Sequence, residues 1–356
     1  MKPARLQALE TGVPTEGPET VHIDLTNSCN TNCVTCWDHS PLLAVPRSAA
    51  WKRQRVERPA VAQLLGDIAS LGGLRAVIFS GMGDPLTHPD ALGIVADAKA
   101  RGLHVTVITN LVAAHPDAVL ASGVDELLIG IHGASLGSYL AFHPSFREAE
   151  WVRLLGALAR FKAAGRRFKH VHVICETNAH ELCDMVQLAA RFPATQVNFK
   201  LAGLHSGTEA VRLRDDQREH LLGGDLAAAT ELAGALGVKT NLDVFEAQLR
   251  AGGADTAEIS AVGCFMGTVY SRVLVDGTVL YCCNTEVVVG RLGDAPFSQL
   301  WYGPEWAALR QRFRAGHYLE SCRQCGKLNQ NVKLSGALRA AVGEARWARA
   351  TGQGAA

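Results

Sequence analysis

Apolar and polar positions follow two different rhythms along residues 21–239. Short apolar runs predict β-strands, and longer segments rich in Ala and Leu predict helices between them. The predicted strands are 21–25, 75–79, 104–108, 126–131, 170–174 and 196–201. The predicted helices are 61–71, 89–100, 117–121, 151–164, 180–192 and 215–236. Strands that alternate with helices in this way predict an α/β fold with a parallel sheet.

The pattern changes beyond residue 250. Residues 251–255 are small and predict a flexible linker. Residues 268–275 and 278–281 flank the pair Asp276-Gly277, which predicts a β-hairpin with a tight turn. Residues 334–347 have the spacing of an amphipathic helix.

Composition and charge narrow the class of protein. With 356 residues, of which 48% are apolar, the chain can form one large α/β domain with an appendage, or two domains. A net charge of +1 gives no electrostatic case for nucleic acid or an anionic membrane as partner. Residues 1–20 lack the apolar core of a signal peptide, and no apolar run reaches membrane-spanning length. We therefore expect a cytoplasmic protein.

Three cysteines stand together just after the first predicted strand. Cys29, Cys33 and Cys36 have the spacing C-x3-C-x2-C, which supplies three thiolates to one centre. An iron–sulfur cluster normally takes four cysteines, so a cluster held by three keeps one iron open for a small ligand. A zinc site completed by His39 is an alternative. A disulfide framework suits small secreted chains, which this one does not resemble.

The cysteine run resembles the cluster loop of the radical S-adenosylmethionine (SAM) enzymes. In that family the open iron binds SAM, and an electron from the cluster cleaves SAM to a 5′-deoxyadenosyl radical. The resemblance implies a partial (β/α)6 TIM-type barrel with Cys29, Cys33 and Cys36 as ligands of a SAM-binding 4Fe–4S cluster. It also implies a flavodoxin- or ferredoxin-type reductant as partner.

Further residues match the places where the family contacts SAM. The turn Gly81-Met82-Gly83-Asp84 resembles the "GGE" motif that holds the SAM amino group, with Met82 and Asp84 as departures. Thr35 stands where the family usually has an aromatic residue near adenine, so Trp37 is the candidate for stacking. Polar residues after the third, fourth and fifth strands complete the set, and each is alternatively a helix cap or turn former: Asn110, His132, Ser135 and Asn178.

A second set of cysteines lies in the last hundred residues. Gly277 precedes Cys282 by five positions, which resembles the opening of the SPASM domain. A full SPASM domain carries seven cysteines, so this set matches the shortened "twitch" form with one auxiliary 4Fe–4S cluster. The resemblance implies Cys264, Cys282, Cys322 and Cys325 as its ligands, and a zinc ribbon on the same four stays open. Cys283 is either a thiol hydrogen donor or a small buried hydrophobe.

These assignments predict five segments. They are an N-terminal extension (1–20), the partial barrel (21–250), a linker (251–260), a small β-hairpin/helix twitch domain (261–330) and a C-terminal helix and tail (331–356).

The cofactors supply the radical chemistry, and the protein orients the substrate. The cysteine layout is similar to that of the butirosin-pathway dehydrogenase, which implies oxidation of a small polar natural product or a sugar or cyclitol. Candidate proton acceptors are His132, His143, Lys200 and His205. The alternatives are epimerisation with Cys283 as hydrogen donor, maturation of a ribosomal peptide, and a non-catalytic metal-binding scaffold.

Overall fold

The computed structural model describes residues 1–192, 194–253 and 257–353. The strands within these ranges are β1 (Thr20–Asp24), β2 (Ala76–Ser80), β3 (His104–Thr109), β4 (Glu126–Gly130), β5 (Phe168–Ile174), β6 (Ala194–Leu201), β7 (Tyr270–Val273), β8 (Thr278–Leu280) and β9 (Val288–Arg291). They form one sheet in the order β6-β5-β4-β3-β2-β1-β7-β8-β9.

Helices surround this sheet on its convex side and at its C-terminal edge. They are α1 (Pro3–Thr11), α2 (Ala49–Lys52), α3 (Arg58–Ser70), α4 (Ala91–Ala100), α5 (Pro116–Ala121), α6 (Leu136–Phe142), α7 (Glu148–Ala163), α8 (Leu182–Arg191), α9 (Asp215–His220), α10 (Leu226–Leu236), α11 (Leu242–Ala251), α12 (Ile259–Val262), α13 (Met266–Val269), α14 (Phe297–Trp301), α15 (Pro304–Arg314), α16 (Leu328–Val342) and α17 (Glu344–Thr351). None of the helices in the described part of the chain is long and apolar enough to cross a membrane.

The six predicted strands of the α/β region are confirmed as β1–β6, each within two residues of its predicted bounds. Neighbouring strands pair in parallel from β1 to β6, with helices on the connections. The predicted partial barrel, followed by a small C-terminal hairpin, is therefore the observed fold. One predicted helix, 215–236, is divided in two, because a widened π-turn at Leu221–Asp225 separates α9 from α10.

Alternation along each strand decides which side chains face the helices. Val21 and Ile23 of β1 belong to the buried core that contains residues of α3, so His22 and Asp24 face the concave side of the sheet. Phe199 of β6 packs against a residue of α11, so its neighbour Lys200 also faces the concave side. The concave side therefore carries the polar groups available for chemistry.

The C-terminal hairpin continues the same sheet. Strand β7 pairs in parallel with β1, with Tyr270 opposite Thr20, and then pairs antiparallel with β8. The predicted Asp276-Gly277 turn joins β7 to β8, and Gly277 takes a φ of +80°, which glycine adopts without strain. The predicted linker falls partly on residues 254–256, which lie outside the described residues.

The predicted tail helix 334–347 is wrong in its bounds. Two helices, α16 and α17, meet at Gly343, whose φ of +80° ends the first helix and starts the second. The N-terminal extension also has structure, since α1 carries Arg5. The guanidinium of Arg5 donates to the carbonyl of Thr268, so α1 packs against the segment that contains α13.

Two histidines of β5 face the helices and are fully buried. Among the described residues, neither ring nitrogen of His170 or His172 has a hydrogen-bond partner. The ring of His170 stacks on Phe168 with 5.2 Å between centroids, and that of His172 stacks on Phe199 at 5.8 Å. Burial lowers the pKa of His170 to about 3 and the pKa of His172 well below its usual value.

We expect His170→Phe to make the apo-protein less sensitive to acid. An unfolded histidine has a pKa of about 6.5, so below that pH the unfolded state binds a proton that the folded state excludes. Stability is therefore unaffected by His170 above about pH 6.5 and falls as the pH drops towards its folded pKa. At about pH 5 the wild type should lose about 2 kcal/mol from this residue. Thermal melting at about pH 7.5 and pH 5 tests this; equal acid shifts in both proteins would contradict it.

Candidate functional site

The loop after β1 brings three thiols together at the C-terminal end of the strand. Cys29, Cys33 and Cys36 are close enough to interact electrostatically. Burial raises the pKa of each thiol, that of Cys29 to about 12. The backbone N–H of His39 donates to Sγ of Cys36 at 3.3 Å. Metal coordination would relieve this arrangement, because a bound thiolate needs no proton.

A single zinc ion requires its ligands to lie close together. Four thiolates on one zinc ion lie about 3.8 Å apart, because Zn–S bonds of about 2.3 Å meet at a tetrahedral centre. In the described ranges no three His, Cys, Asp or Glu side chains converge closely enough to hold one metal ion. The assignment of clusters therefore rests on the cysteine pattern in the sequence.

The glycine turn after β2 packs directly on the cysteine loop. A Cβ on Gly83 would lie 2.1 Å from the carbonyl oxygen of Ser28, which immediately precedes the first cysteine. Gly81 has a φ of +152°, and a Cβ there would lie 2.6 Å from Cγ of Asp24. The two glycines therefore allow a close approach that no larger residue permits. Met82, between them, lines the cavity described next.

A cavity of about 1600 Å³ opens at this end of the sheet. One part of its wall belongs to the cysteine loop and the glycine turn, and another part to the end of β6. The remaining wall comes from the C-terminal segment. Its lining includes Trp37, Gly81, Met82, Lys200, His205, Cys264, Cys282, Cys283, Cys322 and Cys325. One cavity therefore extends from Trp37, directly after the cysteine loop, to the C-terminal cysteines.

Trp37 and His205 meet at the mouth of this cavity. The indole N–H of Trp37 donates to the carbonyl of Gly203 at 2.7 Å, and its ring centroid lies 4.6 Å from that of His205. A hydrogen bond of 2.9 Å joins Nδ1 of His205 to Oγ of Ser206. Lys200 lines the cavity. Desolvation by the surrounding protein lowers the pKa of its ammonium group. These are two of the four predicted proton acceptors.

The other two predicted proton acceptors do not line the cavity, which corrects the expectation for them. Nδ1 of His132 accepts from the backbone N–H of Val173 at 3.0 Å, and its ring stacks on Phe142. Asn178, a predicted SAM contact, is fully buried and donates to the carbonyls of His132 and Val173 at 2.7 and 2.9 Å. His132 and Asn178 therefore join the loops after β4 and β5, and the turn-forming role is the one observed.

His143 is fully buried in an aromatic cluster with Tyr139 and Phe146. Its Nδ1 donates to the carbonyl of Tyr139 at 2.9 Å, and burial lowers its pKa to about 4. Ser135 caps the N-terminus of α6 by accepting from the backbone N–H of Ser138. Ser135 therefore acts as a helix cap, and its contact with SAM stays a prediction.

The carboxylate of Asp84 accepts hydrogen bonds from other parts of the protein. Its carboxylate accepts from the backbone N–H of Leu86 and Asn110 and from the hydroxyl of Thr109, all at 2.7–2.9 Å. Burial raises its pKa. The side chain of Asn110 in turn donates to Oδ1 of Asn30 in the cysteine loop at 2.7 Å. These bonds tie the ends of β2 and β3 to the cysteine loop, and a SAM contact by either residue stays a prediction.

The C-terminal cysteines surround the far wall of the cavity. Burial raises the pKa of Cys264, and its charge interacts with those of Cys322, Cys325 and Cys283. The backbone N–H of Asn284 donates to Sγ of Cys282 at 3.4 Å. Cys264, Cys282 and Cys322 are free thiols, and they line the cavity together with Cys325, so the four predicted ligands lie on one wall.

The pKa of Cys283 is lowered, whereas the pKa values of Cys264 and Cys282 are raised. A Cβ on Gly326 would lie 3.0 Å from its sulfur, so the loop between Cys325 and Lys327 passes directly over it. A hydrogen bond with Cys282 lowers the pKa of Cys283, and the charges of Lys327 and Arg272 act in the same direction. Since the sulfur lines the cavity, Cys283 is not the buried hydrophobe of one prediction.

Sequence reasoning missed a buried ion pair between β1 and β7. Arg272 donates to both carboxylate oxygens of Asp24, at 2.9 and 2.7 Å, and Asp24 is fully buried. His22 lies 3.4 Å from the same carboxylate and hydrogen-bonds to the hydroxyl of Tyr270 at 3.0 Å. The sequence does indicate polar residues on one face of this strand, because His22 and Asp24 alternate with apolar residues in the first predicted strand.

Two family models and one curated relative match the chain. The model of the radical SAM superfamily matches residues 23–189, and that of the SPASM iron–sulfur cluster-binding domain matches residues 264–326. An "AdoMet-dependent heme synthase" of Methanosarcina barkeri (strain Fusaro / DSM 804) is 24% identical over 306 residues, which cover 82% of this chain and 84% of the relative.

Two solved structures share the fold. SuiB of Streptococcus suis bound to S-adenosylmethionine has a TM-score of 0.63 at 14% identity, covering 90% of this chain and 73% of SuiB. Native anSMEcpe with bound AdoMet has a TM-score of 0.63 at 13% identity, covering 89% of each chain. The matches to both family models therefore show a radical SAM domain followed by a SPASM-type iron–sulfur domain, with SAM and 4Fe–4S clusters as cofactors.

Proposed function

We propose that this protein is a radical SAM oxidoreductase that oxidises a small polar substrate. One observation carries the proposal: a single cavity is lined both by Gly81 and Met82 of the SAM motif and by the C-terminal cysteines. A substrate in that cavity lies between the two centres that an oxidation of this kind requires.

The residues have separate tasks in this proposal. Cys29, Cys33 and Cys36 hold the cluster with an open iron, and the C-terminal set holds the auxiliary cluster: Cys264, Cys282, Cys322 and Cys325. When bound, these groups and SAM supply a radical that removes a substrate hydrogen and a second centre able to accept an electron. His205 takes the substrate proton, because it lines the cavity and its ring is held by Trp37 and Ser206.

Oxidation is favoured over redox-neutral chemistry by the C-terminal cysteines. A cluster with four thiolates has no open iron, so it suits electron transfer rather than substrate binding. The similarity of the cysteine layout to the butirosin-pathway dehydrogenase supports the same reaction class. Epimerisation is the second candidate, because Cys283 lines the cavity and a thiol there could return a hydrogen atom.

The first test is an anaerobic iron, sulfide and zinc count with EPR on the reconstituted wild type. Two clusters predict about 8 iron per chain, falling to about 4 when Cys29, Cys33 and Cys36 are all replaced by alanine. The wild type should form 5′-deoxyadenosine from SAM under reduction. Zinc in place of the second cluster, or absence of 5′-deoxyadenosine, would refute the proposal.

The variant Cys322→Ala distinguishes the roles of the two cysteine sets. We expect it to lose about 4 iron and the oxidation of any substrate that the wild type turns over, because the auxiliary cluster loses a ligand. Formation of 5′-deoxyadenosine should fall far less than in a variant of the cysteine loop. Normal turnover by Cys322→Ala would remove the auxiliary cluster from the oxidation. Cys183→Ala, a change on α8 outside both sets, is the matched control.

A further inference from the structure

The side-chain amide of Asn331 is fully buried beside the C-terminal cysteines, in the first turn of α16. Its Oδ1 accepts from the backbone N–H of Phe265 at 2.9 Å. Because a backbone N–H can only donate, the oxygen of this amide must face Phe265, and its NH2 group faces the other way. Nδ2 of Asn331 donates to Sγ of Cys325 at 3.8 Å, a length that suits the large sulfur atom.

The position of this amide is fixed by the packing of α16. Ser335, one turn further along the helix, donates to the carbonyl of Val262 at 2.7 Å and accepts from the indole N–H of Trp347 at 2.8 Å. Residues four positions apart share one face of a helix, so Asn331 and Ser335 both bind the chain around α12 and α13. The NH2 group of Asn331 is therefore held against Cys325.

The surroundings of Cys325 are apolar. Cys264, Cys322 and Cys325 pack against one patch of buried side chains, formed by Ile259, Val262 and Leu328. Three of the four predicted ligands thus share one patch, which fits their assignment to a single auxiliary cluster. A hydrogen bond in apolar surroundings is electrostatically stronger than the same bond in water.

A hydrogen bond to a ligand sulfur favours the reduced form of an iron–sulfur cluster. An added electron increases the negative charge on the cysteine sulfurs, and an N–H donor stabilises that charge. Removal of the donor should therefore lower the reduction potential. The N–H groups that donate to Cys36 and Cys282 belong to the backbone, so a side-chain substitution leaves them in place. The bond from Asn331, by contrast, can be removed by one substitution.

We infer that Asn331 raises the reduction potential of the auxiliary cluster through its bond to Cys325. This cluster is then a better acceptor for the electron that the substrate radical loses. The inference rests on the proposed function in taking Cys325 as a ligand and the auxiliary cluster as the electron acceptor. One electron leaves the substrate radical and one enters the auxiliary cluster, while His205 takes the proton. Asn331 has a tuning role, because it acts through Cys325.

A redox titration followed by EPR tests the inference without any turnover. It uses the anaerobically reconstituted holoenzyme, and the variant with Cys29, Cys33 and Cys36 replaced by alanine identifies the signal of the auxiliary cluster. In Asn331→Leu, which has a side chain of similar size without a donor, the ratio of reduced to oxidised auxiliary cluster at a fixed potential should fall about three- to tenfold. For a one-electron couple this is a shift of about 30–60 mV. The potential of the SAM-binding cluster should stay unchanged.

Asn331→Asp is the second variant, because it keeps an acceptor for the backbone N–H of Phe265. At about pH 8.5 its carboxylate removes the donor and adds a negative charge, so the potential should fall further than in Asn331→Leu. Ser335→Ala is the matched control, since it removes a bond between the same helix and Val262 and leaves the bond to Cys325 in place. It should keep the wild-type potential.

The iron content separates the inference from the proposed function. An unchanged or raised potential in both Asn331 variants at full iron content, or an equal fall in Ser335→Ala, would overturn the inference and leave the proposed function standing. Loss of the auxiliary iron in both Asn331 variants would show a structural role for this residue and would also overturn the inference. Zinc at the auxiliary site of the wild type would overturn both.

Discussion

Cys36→Ala is expected to abolish reductive cleavage of SAM. The variant removes one of only three thiolates in the loop after β1, and no fourth cysteine is nearby in the sequence to replace it. Loss of residues that merely orient metal ligands costs about 10–100-fold, so loss of a ligand should exceed about a hundredfold. The measurement is 5′-deoxyadenosine formed from SAM and dithionite by the reconstituted protein.

Iron content and EPR show whether the effect is local. The variant should keep the iron of the C-terminal set, because Cys36 lies in the loop after β1 and contributes no thiolate to that set. Cys183→Ala should cleave SAM like the wild type, since that residue lies on α8. Substantial SAM cleavage by Cys36→Ala would refute the assignment of this cysteine as a ligand.

Arg272→Met is expected to cause the largest loss of stability. It leaves Asp24 fully buried without its partner, and burial already raises the pKa of that carboxyl. Breaking a buried pair on one side costs about 3–5 kcal/mol, because an uncompensated charge remains in the interior. Denaturant unfolding of the apo-protein at neutral pH measures the effect. Arg58→Met, which breaks the exposed pair with Asp97, should change the midpoint little.

A second substitution tests the reason for that loss. Asp24→Asn in the Arg272→Met background removes the uncompensated charge, so it should recover part of the stability. If the double variant were as unstable as the sum of the two single ones, the Asp24–Arg272 pairing would not explain the effect. Recovery would show that the charge, rather than packing of the Arg272 side chain, dominates.

The strands and the cysteine sites could be predicted because their signals are local. The pattern of a strand covers five or six consecutive residues, and that of the cysteine loop covers eight. Gly343 divides the tail into two helices, although a glycine inside a helical pattern also occurs in continuous helices. Its positive φ depends on how α17 packs, which the pattern alone does not contain.

The roles of single polar residues were harder to predict from the sequence, because they depend on partners that are far away along the chain. Asp24 and Arg272 are 248 positions apart, and nothing local indicates that they pair. His143 and His205 are both histidines near strand ends, yet one is buried among aromatic rings and the other lines the cavity. Asn178 makes three hydrogen bonds between the loops after β4 and β5, as expected of a turn former, and its contact with SAM stays a prediction.

The pairing of β7 with β1 has a consequence for exchanging parts between relatives. The C-terminal segment cannot be removed without cost. Its removal would take away β7, the partner of β1, and leave backbone groups of β1 unpaired. A chimera that joins this barrel to another SPASM domain must therefore reproduce the strand register at Thr20 and Tyr270, as well as the cysteine spacing. Compatibility between the two halves depends on this row of backbone hydrogen bonds and on the buried Asp24–Arg272 pair.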